Sequence, residues 1–266
     1  MILASATATE SVLAMAAAMA YLLPAAAGDR LSPRTRRGAV ALAWLLHAVV
    51  LGWALLGDHP RFGFAPAISV TAWLVITVYA VEREVYPQLQ LRWGLAVLGA
   101  GAVLLALVFP GSPLHPAASP LLPLHWALGI ACYGLFAAAV LHAWLLRRTE
   151  LAMRRADAPT AGLPLLTLER LTFRFASAGF VLLSATLLAG ILFSESLYGR
   201  AWRWEHKTVF SLLAWIAFAA LLLGRARFGW RGRGAVRVLY TGSLLLLLAY
   251  VGSRFVLEVV LRRAAS

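Results

Sequence analysis

A single cysteine and eleven acidic residues are all that this chain of 266 residues offers of two common site-building groups. One thiol, Cys132, excludes a disulfide framework, a cysteine zinc site and a dithiol redox pair within the chain. At that position a small packing residue is the simplest reading. Charge is scarce too. Only 13% of residues are charged, where a soluble domain of ordinary composition carries about a quarter. Missing as well are a long polar linker, which argues against a separate soluble domain, and an internal repeat of the kind that builds inverted-repeat transporters.

What fills the chain instead is apolar: 62% of residues are hydrophobic. They fall in eight nearly charge-free blocks, roughly 8–27, 39–57, 63–81, 93–110, 124–146, 175–193, 208–223 and 236–258. Each is of a length suited to crossing a bilayer core of about 30 Å as a helix. The expected fold is therefore all-α: a polytopic membrane protein of about eight transmembrane helices in one bundle, with residues 1–266 a single domain. The N-terminal stretch does not read as a cleavable signal. Residues 1–9 carry no cation, and the first apolar block runs into "DRLSPRTRR" without a cleavage site.

The formal net charge of +13 invites a nucleic-acid reading, and the placement of the cations argues against it. Alternate loops hold most of them, with four in 28–38, two in 82–92, six in 147–174 and five in 224–237. The opposite loops and the tail hold Arg61, Arg200, Arg203, Lys207, Arg254, Arg262 and Arg263. Such a bias is the positive-inside rule. It predicts that both termini and the loops 58–62, 111–123 and 194–207 face the outer, periplasmic side. Nearly every cation is Arg, which with the Ala and Leu richness suggests a GC-rich bacterial genome and the inner membrane of a bacterium.

Polar residues are costly inside a membrane and so mark places to look. Of six histidines, His47 lies mid-span in "WLLHAVVLGW" and His142 lies toward the inner end of the fifth span. His59 and His115 sit in outer loops, while His125 and His206 open spans on the outer side. Along one helical face come His125, Gly129, Cys132 and Phe136. Small residues there leave room for a flat ligand, or for a neighbouring helix to approach closely. His47 is a further candidate, with a hydrogen bond to a neighbouring helix as its simpler reading. His142, beside Arg147 and Arg148, is given no role.

The stretch "SLYGRAWRWEHKTVF", residues 196–210, gathers two tryptophans, a glutamate, a histidine and three cations between two apolar runs. If 199–207 is helical, Trp202 and His206 share a face at i and i+4, as do Arg200 and Trp204. An interfacial belt of Trp and Arg accounts for part of this. It accounts less well for Glu205–His206–Lys207. A site here would suit a large, flat, apolar molecule bearing carboxylates, with imidazoles as axial ligands to iron. Haem meets these requirements, with Trp202 and Trp204 as a shelf, Arg200, Arg203 or Lys207 on the propionates, and His125 and His206 toward the metal. No CxxCH occurs, so the haem expected is a non-covalent, b-type one.

"YGRAWRWEHKTVFSLLAWIAFA" resembles the tryptophan-rich signature of the cytochrome c assembly family, the CcsA/CcmC-like haem-handling membrane proteins. Gly199, Trp202, Trp204, Lys207 and Trp215 match it; Glu205 stands for its Asp, His206 for its Pro and Tyr198 for its leading Trp. "LHWALGIACYGLF" is similar to the family span that begins with a haem-ligating histidine, which maps to His125. The shorter YpjD-like or HemX-like branch, with about eight spans and a W-[DE]-H-K motif, is the nearer likeness. The chain departs from members that attach haem to cytochromes, because no histidine follows His206.

The resemblance implies an inner-membrane protein that binds or passes haem in cytochrome c biogenesis, with haem, the bilayer and other maturation or membrane proteins as partners. It would be a chaperone or assembly factor, since no nucleophile–base pair or carboxylate dyad is visible. Two readings compete. One is a cofactor-free structural or regulatory membrane protein assisting a neighbouring complex. The other is a small-molecule transporter, which would need ionisable residues along a path that the span interiors hardly provide beyond His47.

Overall fold

In lipid every backbone polar group must be satisfied within its own segment, so apolar blocks of this length fold as helices. The computed structural model describes residues 8–27, 30–57, 60–87, 92–114, 122–155, 163–195 and 204–261. Eight long helices run through them: α1 (Ala8–Ala26), α2 (Pro33–Leu56), α3 (Phe64–Val85), α4 (Arg92–Val108), α5 (Leu122–Arg154), α6 (Leu165–Leu192), α7 (His206–Phe228) and α8 (Gly232–Val260). Seven are long and apolar enough to cross a membrane; α4, at 17 residues, is a shorter apolar helix. The chain is an all-α polytopic membrane protein, as its hydropathy predicts.

The helices overrun the apolar blocks because capping chemistry, and not hydropathy, ends them. Ser32 accepts the Thr35 amide at 3.1 Å and Pro33 takes the first helical turn, where its missing N–H costs nothing. So α2 starts six residues before its apolar block. At the other end of such a segment, α7 stops at Gly229, whose φ of +63° is the left-handed conformation that closes many helices.

Two compact units emerge from the contacts, the first formed by described residues within 1–82, 91–115 and 254–266, the second by those within 83–90 and 116–253. In the first, α1 packs on α2 and α4. Ala14, Ala17 and Val103 form the core there, flanked by Leu46, Val50 and Leu107. A two-residue antiparallel pairing sets Arg61 opposite Pro113 and Phe62 opposite Ser112. Beside it the Glu258 carboxylate takes the Phe64 amide at the start of α3. A Cβ on Gly63 would stand 2.6 Å from that carboxylate, so only glycine fits.

Four helices make the second unit, with α5 against α6 and α8, and α7 against α6 and α8. Its centre is a stacked pair, Phe136 of α5 on Phe218 of α7, with ring centroids 3.7 Å apart. A glycine faces each ring: a Cβ on Gly179 of α6 would lie 3.2 Å from Phe136, and one on Gly242 of α8 would lie 2.8 Å from Phe218. Lipid tails are as apolar as these side chains, so association rests on close packing, and small residues opposite large rings supply it.

Two widened π turns, Leu248–Gly252 and Val256–Val260, interrupt α8. Such turns free carbonyls that need other donors. The Tyr133 hydroxyl donates to the Leu246 carbonyl, and the Ser253 hydroxyl is shared between Ala249 and Tyr250 carbonyls at 3.1 and 2.9 Å.

Candidate functional site

His125 lies in the first turn of α5 and His206 is the first residue of α7. Contacts along the helices fix their relative level. Gly129 of α5 faces Thr186 near the end of α6, while on α7 Trp215 donates to Ser184 of α6 at 2.8 Å and the later Arg225 bonds Glu169 near the start of α6. Both α5 and α7 therefore run antiparallel to α6 and begin at the same end of the unit. From the stacked Phe136–Phe218 pair, His125 is eleven residues up α5 and His206 twelve up α7. At 1.5 Å per residue both stand about 17 to 18 Å above that pair. One helical end thus carries both imidazoles at one height.

Their surroundings differ. His125 is half-buried, between the exposed Leu124 and Trp126. His206 is exposed, Lys207 and Glu205 are half-buried, and Trp204 is 72% exposed. The helix begins at His206, with Glu205 extended at φ −97°, ψ 159°. A continuous helix over 199–207 is therefore not formed: Trp204 and Glu205 are non-helical, because the run turns into α7 only after the Glu205 cap. The i, i+4 spacing from position 202 to His206 therefore crosses two non-helical residues. Trp202, Arg200 and Arg203 themselves lie outside the described residues, as do His59 and His115.

The face below His125 is occupied by protein. Gly129 sits against Thr186, Cys132 is buried in the unit's core and Phe136 is in the stacked pair. Small residues on that face admit α6 and α7. Trp215, the later tryptophan of the motif, ties α7 to α6 through Ser184, whose hydroxyl donates onward to the Phe180 carbonyl, and its ring lies 5.5 Å from Phe180.

His47 is wholly buried in the first unit and both ring nitrogens are engaged. Nδ1 lies 3.2 Å from the Tyr21 hydroxyl and Nε2 lies 2.9 Å from Ser69 Oγ. One imidazole thereby links α1, α2 and α3. One turn away Trp44 Nε1 donates to Thr77 Oγ1 at 2.8 Å and Trp73 Nε1 donates to the Trp44 carbonyl at 3.1 Å, the two indoles stacking at 5.0 Å. Sequence reading reached His47 but not Tyr21 or Ser69. The available signal was a tyrosine in an alanine-rich block and a serine inside a span, each of them polar where polarity is costly. His142 bonds back to the Ala138 carbonyl at 2.8 Å and lies on Phe175. Among the described residues no group of three or more His, Cys, Asp or Glu could hold a metal ion.

Similarity to known proteins agrees with this architecture. The family described as "Cytochrome C assembly protein" matches residues 38–261. The chain is 28% identical over 235 residues to "Inner membrane protein YpjD" of Escherichia coli (strain K12), covering 82% of this chain and 85% of that protein. It is 25% identical over 249 residues to "Cytochrome c biogenesis protein CcsA" of Synechococcus sp. (strain CC9902), covering 80% of this chain and 81% of that one. A second CcsA, from Prochlorococcus marinus (strain AS9601), is 34% identical over 88 residues, 33% of this chain and 28% of its own. No solved structure matches. The chain belongs to the cytochrome c assembly protein family and is a multi-pass protein of the inner membrane.

Proposed function

We propose that this protein binds or passes haem at the periplasmic face of the inner membrane, in the service of cytochrome c biogenesis. The observation that carries the reading is the equal height of His125 and His206 at one end of the α5–α8 unit. Family membership and the CcsA relatives point to the same process. The donor set fits. Imidazole is a haem-iron ligand, Trp204 offers an exposed aromatic face, and Lys207, three residues later in the chain, is a cation for a propionate. Trp202 is assigned to the same shelf, and Arg200 and Arg203 to the propionates.

In this reading haem supplies the redox-active iron that a cytochrome later carries, and the chain's own residues hold and release it. His125, half-buried over packed helices, is the positioned ligand. His206, exposed at the start of α7, is the one free to approach or leave. The outward orientation follows from the cation bias of the loops, and the binding is non-covalent.

The test is an absorption spectrum of detergent-purified protein from haem-replete cells, beside His125→Ala and His206→Ala. A Soret band weakened or shifted in both variants is the expected result. A band altered by His125→Ala alone returns His206 to the interfacial belt. Well-folded wild type that carries no haem and takes none up on addition rejects the site.

A further inference from the structure

At the opposite, cation-rich end of the second unit a cavity of about 460 Å³ opens between α5, α6 and α8. Among the described residues it is lined by Glu150, Met153, Arg154, Leu165, Gly232 and Arg233. Its volume lies within the range of about 300–1,000 Å³ typical of small-ligand sites. Gly232, at φ +63°, has no atom within 4 Å of the place a Cβ would take.

Two pairs of cations in this region contrast. Arg225 bonds the Glu169 carboxylate and rests 4.4 Å from the Phe173 ring centroid, and Arg231 lies 3.6 Å from the same carboxylate. That carboxylate, half-buried, is thus already committed. Arg154 and Arg233, from two different helices, face the cavity and have no ion pair among the described residues. Two exposed guanidinium groups lining one space suit a phosphate oxygen pair.

Glu150 narrows the choice. A free phosphate or polyphosphate would meet its carboxylate with like charge. A phosphodiester carrying a nearby ammonium would meet both signs correctly. The walls contributed by Met153 and Leu165, with exposed Leu166 beside them, are apolar. The α7–α8 turn adds exposed Phe228 and Trp230, the residue types that settle at a bilayer interface.

We infer that this cavity seats the headgroup of a phosphatidylethanolamine-type lipid, with the phosphodiester between Arg154 and Arg233 and the ammonium on Glu150. The site is separate from the haem reading and stands or falls without it.

Thermal unfolding of the full-length protein in a neutral detergent tests the assignment. The probes are short-chain phosphatidylethanolamine, phosphatidylcholine with the same acyl chains, and inorganic phosphate. Phosphatidylethanolamine at saturation should raise the melting temperature of wild type by about 5 °C. Phosphatidylcholine, whose quaternary nitrogen donates no hydrogen bond, should raise it less. Glu150→Gln should erase the difference between the two lipids, and Arg154→Gln with Arg233→Gln should erase the shift itself. No shift with phosphatidylethanolamine, an unchanged shift in the double variant, or an equal shift with inorganic phosphate alone would each overturn the proposal. Counting retained lipid by native mass spectrometry on wild type and Glu150→Gln covers the case in which the arginine variants unfold. Equal retention of both lipids by wild type would also overturn it.

Discussion

Among the described residues, His47 has its chemistry accounted for by its neighbours. Both nitrogens are spent on Tyr21 and Ser69 in the first unit. Removing the ring strands two buried hydroxyls, each costing about 1–3 kcal/mol when left unpaired. His47→Ala should therefore lower the thermal stability of the detergent-purified protein clearly while leaving any Soret band unmoved, which separates it from His125→Ala. The glycines allow a paired comparison at the same scale. Gly242→Ala drives a Cβ into the Phe218 ring and should cost about 1–3 kcal/mol as overpacking. Gly38→Ala in α2 meets open space and should be neutral or stabilising by up to about 1 kcal/mol through helix propensity. Chemical denaturation of both variants checks the contrast. The sequence made His47 conspicuous because histidine in a span is costly; it hid Tyr21 and Ser69 because their pairing depends on which helices become neighbours.

Helices were the most legible level, since eight apolar blocks became eight helices. Their ends were not legible, because hydropathy marks what faces lipid whereas Ser32, Glu205 and Gly229 decide where the backbone starts and stops being helical. The π turns of α8 left no mark in the sequence at all. The first of them has a donor from another helix beside it: the Tyr133 hydroxyl of α5 serves the Leu246 carbonyl. Tyr133→Phe should cost about 1–2 kcal/mol and speed amide exchange over residues 247–252 relative to the rest of α8. Unchanged exchange there would mean that the widened turn supports itself. The candidate site was half legible for a similar reason. Residue types picked out Trp204, His206 and Lys207, but the helical spacing imagined for 199–207 fails where Glu205 adopts an extended conformation.

For the molecule as a whole, the distribution of arginine predicts an orientation that can be read with thiols. In a Cys132→Ala background, Glu195→Cys should react with a membrane-impermeant maleimide in cells whose outer membrane alone is opened. Arg227→Cys should react only after the inner membrane is broken. The reverse pattern would move the histidine end to the cytoplasm and remove the periplasmic reading. Beneath that end, the stacked phenylalanines and their two facing glycines act as a detent. A slide of α5 or α7 by one residue, about 1.5 Å, would bring a bulkier side chain against a ring and be refused. The mutual height of the two imidazoles is thus indexed by an apolar notch about three helical turns below them. A change confined to that notch would be felt first at the surface, as a misalignment between His125 and His206.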